Sequence, residues 1–234
     1  MYIDGFAGAG RHISKETGEF VPGSPLNALR VEPPFREYHF IDLNPAKAGY
    51  LKETLGGEKG VHVYEGDCHQ TLLTEVFPQV RYEDYRRALC VLDPYGLHLD
   101  WEVIRTAGRM ESIEIFLNFP VADMNRNVFR KKRDLSEVDP KDIDRMNAFG
   151  GDDSWKDVAF ERESDLFGHP QKTDHETVAE AFRVRLRKVA GFKYVPTSLP
   201  MRNTRNAVLY YLFFAAQKPE AKDIVEDIMA KYRV

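Results

Sequence analysis

Cysteine is scarce: Cys68 and Cys90 are the only two in 234 residues. Two thiols cannot make a zinc site by themselves, and Cys90 stands inside an apolar run where a small buried hydrophobe is expected, so a disulfide framework is disfavoured. No run of about 18 apolar residues occurs, which argues against a membrane-spanning helix. A basic-then-apolar leader is also missing from the first residues, so the expectation is a cytoplasmic protein. Neither sign of charge dominates: 33 Lys and Arg against 37 Asp and Glu leave a net charge of −4. The chain as a whole is therefore not built to coat a phosphate backbone, and any nucleic-acid contact has to come from local patches. Internal repeats and low-complexity stretches are absent too. What remains is an ordinary globular composition, 43% hydrophobic and 30% charged, in a chain long enough for one large core and a sizeable insertion.

The order of apolar runs and turn signals predicts alternating strands and helices. Tyr2-Ile3-Asp4 runs straight into the glycine-rich turn Gly5-Phe6-Ala7-Gly8-Ala9-Gly10. After a polar loop, Arg11 to Pro22, Ser24 reads as a helix N-cap with Pro25 at the first helical position. Tyr38 to Asp42 reads as a strand, and Asn44-Pro45 repeats the cap-then-proline signal. Val61 to Tyr64 follows as a third strand ending at Gly66-Asp67, with a helix from His69 to Val76. Ala88 to Leu92 is almost wholly apolar, the signature of a parallel strand covered on both faces. A helix over Trp101 to Met110 and a fifth strand, Ile113 to Phe119, complete the series. From Val121 to about Ala190 the pattern turns helical, with starts at Asp139-Pro140, Ser154 and Asp174 and turns at Gly150-Gly151 and Gly168-His169-Pro170. Tyr194 to Leu199 and Ala207 to Ala215 return to the sheet, and Pro219 to Tyr232 is an amphipathic helix with Ala221, Ile224, Val225, Ile228, Met229 and Tyr232 on one face. The predicted class is α/β, Rossmann-like, with a mainly parallel sheet. The expected organisation is a core over 1–120, a helical insertion over 121–190 and a return to the core over 191–234.

Ligands in such folds bind at the carboxyl ends of the strands, so the strand ends are where chemistry is sought. They carry Asp4 to Gly10, Asp42, Asp67, Asp93-Pro94-Tyr95-Gly96 and Asn118-Phe119-Pro120 in succession. That series resembles the class I S-adenosyl-L-methionine-dependent methyltransferases, with Asp4, Phe6, Gly8 and Gly10 matching the first-loop form Asp-x-Phe-x-Gly-x-Gly. The resemblance implies that the glycines admit the methionine part of the cofactor, that Asp42 holds the ribose hydroxyls, and that Asp67 accepts from the adenine amine. Asp93-Pro94-Tyr95-Gly96 stands where amino-methyltransferases of bases carry Asp/Asn-Pro-Pro-Tyr/Phe. It is closer to the Asp-Pro-Phe/Tyr-Gly of tRNA guanine-N2 dimethyltransferases. A carboxylate and a proline carbonyl there direct an exocyclic amine, and the aromatic stacks an extruded base.

Taken with Gly23-Ser24-Pro25-Leu26, Asn118-Phe119-Pro120, Asn125-Arg126-Asn127 and Leu209 to Ala215, the chain resembles the three-Cys-motif partner (TcmP) proteins over nearly its whole length. These are bacterial proteins encoded beside a partner whose three cysteines resemble a radical-S-adenosylmethionine cluster site, and that protein is the partner the resemblance implies. Family members usually carry a helix before the first strand, so the expectation is tighter cofactor binding by a helix-extended chain. Asp93, Pro94 and Tyr95 are thus the candidate catalytic residues, and Asn118, Asn125 and Arg126 the candidate substrate contacts. The implied cofactor is S-adenosyl-L-methionine and no metal is expected. Two other readings stand beside this one: a methyltransferase-shaped docking module with little activity, and a Rossmann enzyme using another nucleotide such as NAD.

Bland readings compete at several positions. Asp42 and Asp67 can be helix caps, and Cys68-His69 has too few companions for a metal pair. Arg183, Arg185, Arg187 and Lys188 read as a solvated helix surface, whereas Arg130 to Arg133 form a compact basic patch that can meet phosphates. Arg202, Asn203 and Arg205 fit substrate contacts or turn caps equally.

Overall fold

The computed structural model describes residues 1–13, 17–129, 138–159 and 175–233. The basic run Arg130 to Arg133, the turn Gly168-His169-Pro170 and Asp174 lie outside the described residues. Two compact units make up the chain, one formed by Met1–Asp93 with Met110–Phe116 and the other by Pro94–Arg109 with Leu117–Val234.

Hydrogen-bonded strands run in the order β5-β4-β1-β6-β7-β9-β8. They comprise β1 Tyr2–Asp4, β4 Tyr38–Asp42, β5 Val61–Glu65, β6 Ala88–Leu92, β7 Ile113–Phe119, β8 Leu199–Arg202 and β9 Val208–Ala215. β1 pairs in parallel with β4 and with β6, β4 pairs in parallel with β5, and β8 pairs antiparallel with β9. This is the expected α/β, Rossmann-like, mainly parallel sheet. Chain order reverses at β1, the kind of switch point beside which such sheets bind ligands.

In the first unit, strand alternation sorts the side chains. Tyr2, Tyr38, Phe40 and Val61 join Ala7, Ala28, Leu51 and Leu55 in one core cluster. Helices α1 (Ser24–Leu29) and α2 (Pro45–Leu55) supply its last three members. Asn44 caps α2 as expected, its side chain accepting from Ala46 and Lys47 N–H. Two local expectations change. Residues Arg11–Ile13 and Phe20–Pro22 pair as an antiparallel two-stranded ladder, β2 and β3, where the sequence suggested only a polar loop. Gly23, not Ser24, caps α1; the Ser24 side chain is hydrogen-bonded to Asp4 instead. After β5 the chain continues through α3 (Cys68–Thr71), a π-helical turn (Leu72–Val76) and a 3-10 turn (Phe77–Gln79). Both cysteines are buried, and neither is in a disulfide.

Helices dominate the second unit: α4 (Trp101–Met110), α5 (Val121–Met124), α6 (Pro140–Gly150), α7 (Trp155–Ala159), α8 (His175–Lys188) and α9 (Pro219–Ala230). Among the described residues from Val121 to Ala190 there is no strand, in keeping with a helical insertion. The rings of Phe119, Phe149, Phe182 and Phe213 pack at centroid distances of 4.6 to 5.8 Å, and Trp101 meets Phe182 edge-on. Gly108 lets α4 approach the chain after α8, where a Cβ would lie 2.1 Å from Ala190 O.

Sequence patterning misjudged three features of this unit. Tyr194 makes only an isolated bridge to Ala216, and the strand itself begins at Leu199. Arg187 and Lys188 are exposed as expected, but Arg183 and Arg185 are only partly so: Arg183 binds Glu180 and the Val195 carbonyl, while Arg185 reaches Gly150 O, Ser154 and Asp152 and lies over the Trp101 ring. A long aliphatic stem lets such a residue pack as well as pair. On α9 only Met229 is buried, whereas Ile224, Ile228 and Tyr232 are exposed.

Phe182 touches every other ring of the aromatic cluster. Truncating a buried Phe costs about 3–5 kcal/mol. Phe182→Ala is expected to lower stability by that amount, read as an earlier urea midpoint at unchanged slope. An unchanged midpoint would show that the cluster contributes nothing to stability.

Candidate cofactor-binding edge of the first unit

The glycine turn is stitched to both flanking strands. Gly5 N–H donates to Val91 O, Ala7 N–H to Ile41 O at 2.9 Å, and Gly8 N–H to the Asp42 Oδ2 at 2.8 Å. The other Asp42 oxygen accepts from Asn44 N–H at 2.8 Å, and its backbone carbonyl accepts from Gly66 N–H. Asp42 thus joins the ends of β1, β4 and β5. Each of its carboxylate oxygens accepts one hydrogen bond here and keeps a further lone pair.

Gly8 and Gly10 have φ of +65° and +72°, a region that costs an L-residue strain. Among the described residues nothing lies within 4 Å of a Cβ built on Gly8, so the turn presents open backbone. A Cβ on Gly10 would meet Leu51 at 2.8 Å and Gly5 faces Leu92 and Cys68, so those two glycines serve packing. Phe6 is half-buried, and its N–H donates to Asp4 Oδ1. The turn then enters β2, not a helix.

Asp4 is 1% exposed, and its Oδ2 has no hydrogen-bond partner among the described residues. Burial pushes its carboxyl up to about 6, opposed by the Ser24 and Phe6 hydrogen bonds and reinforced by the nearby charges of Asp93 and Asp42. Asp67 caps α3, accepting from Gln70 N–H at 3.0 Å, and its carboxylate lies 3.6 Å from His69 Nδ1. The cap reading therefore holds for Asp67 through Oδ1. Asp93 follows β6 and is exposed.

Other predicted residues lie in the second unit. Pro94 is buried and Tyr95 is 89% exposed. Gly96 has φ +61° and sits so close to Asp123 that a Cβ would be 2.6 Å from its carboxylate. Asn118 is half-buried in β7. Asn125 Nδ2 lies 3.0 Å from His175 Nδ1, so that amide bridges to the start of α8, and Arg126 is exposed. Asn203 accepts from Arg205 and Ala207 N–H, which makes it a turn cap. Sequence reading passed over an apolar cavity of about 250 Å³ in this unit, bounded by Phe149, Phe182, Met146, Trp155 and Val178. Its walls come from helices separated in sequence, so no local motif marks it.

No family model matches the chain, and no curated protein does. Among solved structures it is similar to protein LPL1258 from Legionella pneumophila str. Philadelphia 1, described under the DUF519 family model, with a TM-score of 0.54 and 12% identity over 99% of this chain and 83% of that one. The methyltransferase domain of bacterial CtHen1 aligns at a TM-score of 0.46 and 13% identity over 92% of this chain and 89% of that one. At 12% identity the first likeness is one of fold.

The raised Asp4 carboxyl has a stability consequence. Its neutral form is the one the fold favours, so its contribution is complete below the ordinary value of 3.8 and is lost as pH rises through about 6. A shift of that size corresponds to about 2–3 kcal/mol at neutral pH. Asp4→Asn keeps an acceptor for Phe6 N–H and removes the titration. It should gain about 2–3 kcal/mol on the wild type between pH 4 and pH 8 in denaturant unfolding. Parallel pH profiles for the two proteins would refute the assignment.

Proposed function

We propose that this protein is an S-adenosyl-L-methionine-dependent methyltransferase acting on an amine, of a nucleobase or nucleic acid. The observation that carries the proposal is the acid set at the strand ends around the glycine turn. Asp42 is held on Gly8, and Asp4 is buried with one oxygen unpartnered among the described residues, near enough to Asp93 and Asp42 to feel both charges. Such a set favours a cationic ligand and opposes an anionic pyrophosphate. Dinucleotide folds place that pyrophosphate at a helix N-terminus directly after the glycine turn, where this chain has β2. The residues therefore suit a sulfonium and an α-ammonium group better than NAD.

In this reading the open backbone at Gly8 and the acid Asp4 receive the methionine part, the spare lone pairs of Asp42 take the ribose hydroxyls, and Asp67 takes the adenine amine through the oxygen its cap leaves over. Bound there, the cofactor supplies an electrophilic methyl group. Asp93 accepts a hydrogen bond from the acceptor amine, aims the nitrogen lone pair and passes the released proton to water. The exposed Tyr95 ring offers a stacking face for a base. Asn118, Asn125 and Arg126 are proposed as further substrate contacts.

A second reading, a module that docks the three-Cys-motif protein, is favoured by the exposed apolar residues Ile224 and Ile228 on α9 and Tyr232 just after it. It becomes the better one if no acceptor among nucleic acids, nucleotides and that partner is methylated.

Calorimetry with S-adenosylmethionine, S-adenosylhomocysteine and NAD tests the cofactor. Asp42→Ala should weaken S-adenosylmethionine binding by about 1.5–3 kcal/mol, the value of hydrogen bonds to a charged acceptor; wild-type affinity in that variant removes Asp42 from the site. Wild-type affinity should also fall as pH drops through about 6, and Asp4→Asn should flatten that profile. For the reaction, Asp93→Ala should abolish methyl transfer with cofactor affinity nearly intact, while Tyr95→Ala should chiefly raise KM. Retained turnover in Asp93→Ala rules out amine direction by this carboxylate.

A further inference from the structure

A group of side chains outside the strand-end acids also converges. Glu37 immediately precedes β4, His39 is its second residue, and His62 lies directly across from His39 in the parallel register of β4 and β5. Because side chains alternate along a strand, Glu37 and His39 share a face, and the register brings His62 and Tyr64 to the same face. One ligand atom from each of Glu37, His39 and His62 falls within 4.8 Å of the others. His39 and His62 rings lie 4.8 Å apart.

His39 is fully buried, yet its Nε2 has no hydrogen-bond partner among the described residues. The nearest acceptor, Glu37 Oε2, is 3.7 Å away, too far for a hydrogen bond. Its other ring nitrogen, Nδ1, is 3.0 Å from the Tyr64 hydroxyl. A buried imidazole nitrogen left facing a carboxylate beyond hydrogen-bond reach, with its opposite nitrogen held by a hydroxyl, is the arrangement of a metal-ligating histidine and its orienting partner.

We infer that Glu37, His39 and His62 form a binding site for a zinc-class divalent ion that ties the edge strand β5 to β4. Two imidazoles and one carboxylate suit borderline transition ions better than magnesium or calcium, which prefer all-oxygen sets. Three protein ligands leave a fourth position for water. Donors on a tetrahedral zinc stand roughly 3.4 Å apart, given bonds of about 2.0–2.1 Å. The group therefore has to close by somewhat more than an ångström at its widest. His62 is exposed and can turn out of its stack to do so, while buried His39 stays in place. Binding selects the tautomer with the proton on Nδ1, where the Tyr64 oxygen accepts it. Arg86 also binds Glu37, and a carboxylate has enough lone pairs to keep that guanidinium and ligate an ion. His39 precedes Asp42 by three residues along β4, roughly 10 Å at strand rise. The metal site is thus separate from the strand-end acids and independent of the methyltransferase reading.

Titration of the tag-free protein with Co²⁺, followed by competition with Zn²⁺, tests the inference. One Co²⁺ per chain is expected, with the visible absorption of a low-coordinate nitrogen and oxygen site and a Zn²⁺-dependent rise in melting temperature. His62→Ala, at an exposed position, and Glu37→Gln should each weaken Co²⁺ binding at least about tenfold, and Tyr64→Phe by about 10- to 100-fold, the effect of losing an orienting partner. Absence of Co²⁺ and Zn²⁺ binding, undiminished binding in His62→Ala, or thiolate charge-transfer bands implicating Cys68 or Cys90 would each overturn the site.

Discussion

The carboxylate of Asp42 connects the end of one strand to the glycine turn of another. Its side chain accepts from Gly8 and Asn44 and its carbonyl accepts from Gly66, so three chain reversals at the carboxyl edge of the first unit converge on one residue. Backbone N–H groups in a tight turn need acceptors, and a carboxylate can serve two of them while retaining lone pairs. The turn can then hold positive φ at Gly8 and Gly10 and leave its backbone open above Gly8. A scaffold of this kind presents polar groups without having to rearrange when a ligand arrives.

Around that anchor the acids are not equivalent. Asp4 is sealed under the turn and held toward its neutral form by burial, whereas Asp93 is exposed and Asp67 is committed to a helix cap through one oxygen. Different surroundings give similar side chains different tasks, the usual way in which one fold sets up several roles with a single residue type. Under the proposed function, Asp4 compensates a buried positive charge and Asp93 exchanges with substrate and water.

The second unit depends on a different interaction. Its rings Phe119, Phe149, Phe182 and Phe213 pack at angles typical of aromatic clusters, and Arg185 lies over Trp101 while closing hydrogen bonds to Gly150, Asp152 and Ser154. Here an arginine acts as packing and as a clip between helices at the same time. A count of charges along α8 cannot reveal this, because the partners of Arg185 come from a segment more than thirty residues away.

What the sequence determined by itself was the strand and helix alternation and the acids at the strand ends. Apolar runs such as Ala88 to Leu92, cap-then-proline pairs such as Asn44-Pro45 and the glycine turn after Asp4 are local signals, and local sterics and hydrogen bonding decide them. Tertiary structure decided which partner each polar group found. Ser24 looks like a cap, but a buried carboxyl beside it is the stronger attraction, and Gly23 caps α1 without a side chain. Ile224, Ile228 and Tyr232 have the spacing of a buried stripe, yet burial depends on what the rest of the chain sets against them, and only Met229 is covered. Glu37, His39 and His62 carry no motif at all. Strand register alone brings His62 opposite His39, because pairing between strands is a long-range choice that spacing along the chain does not encode.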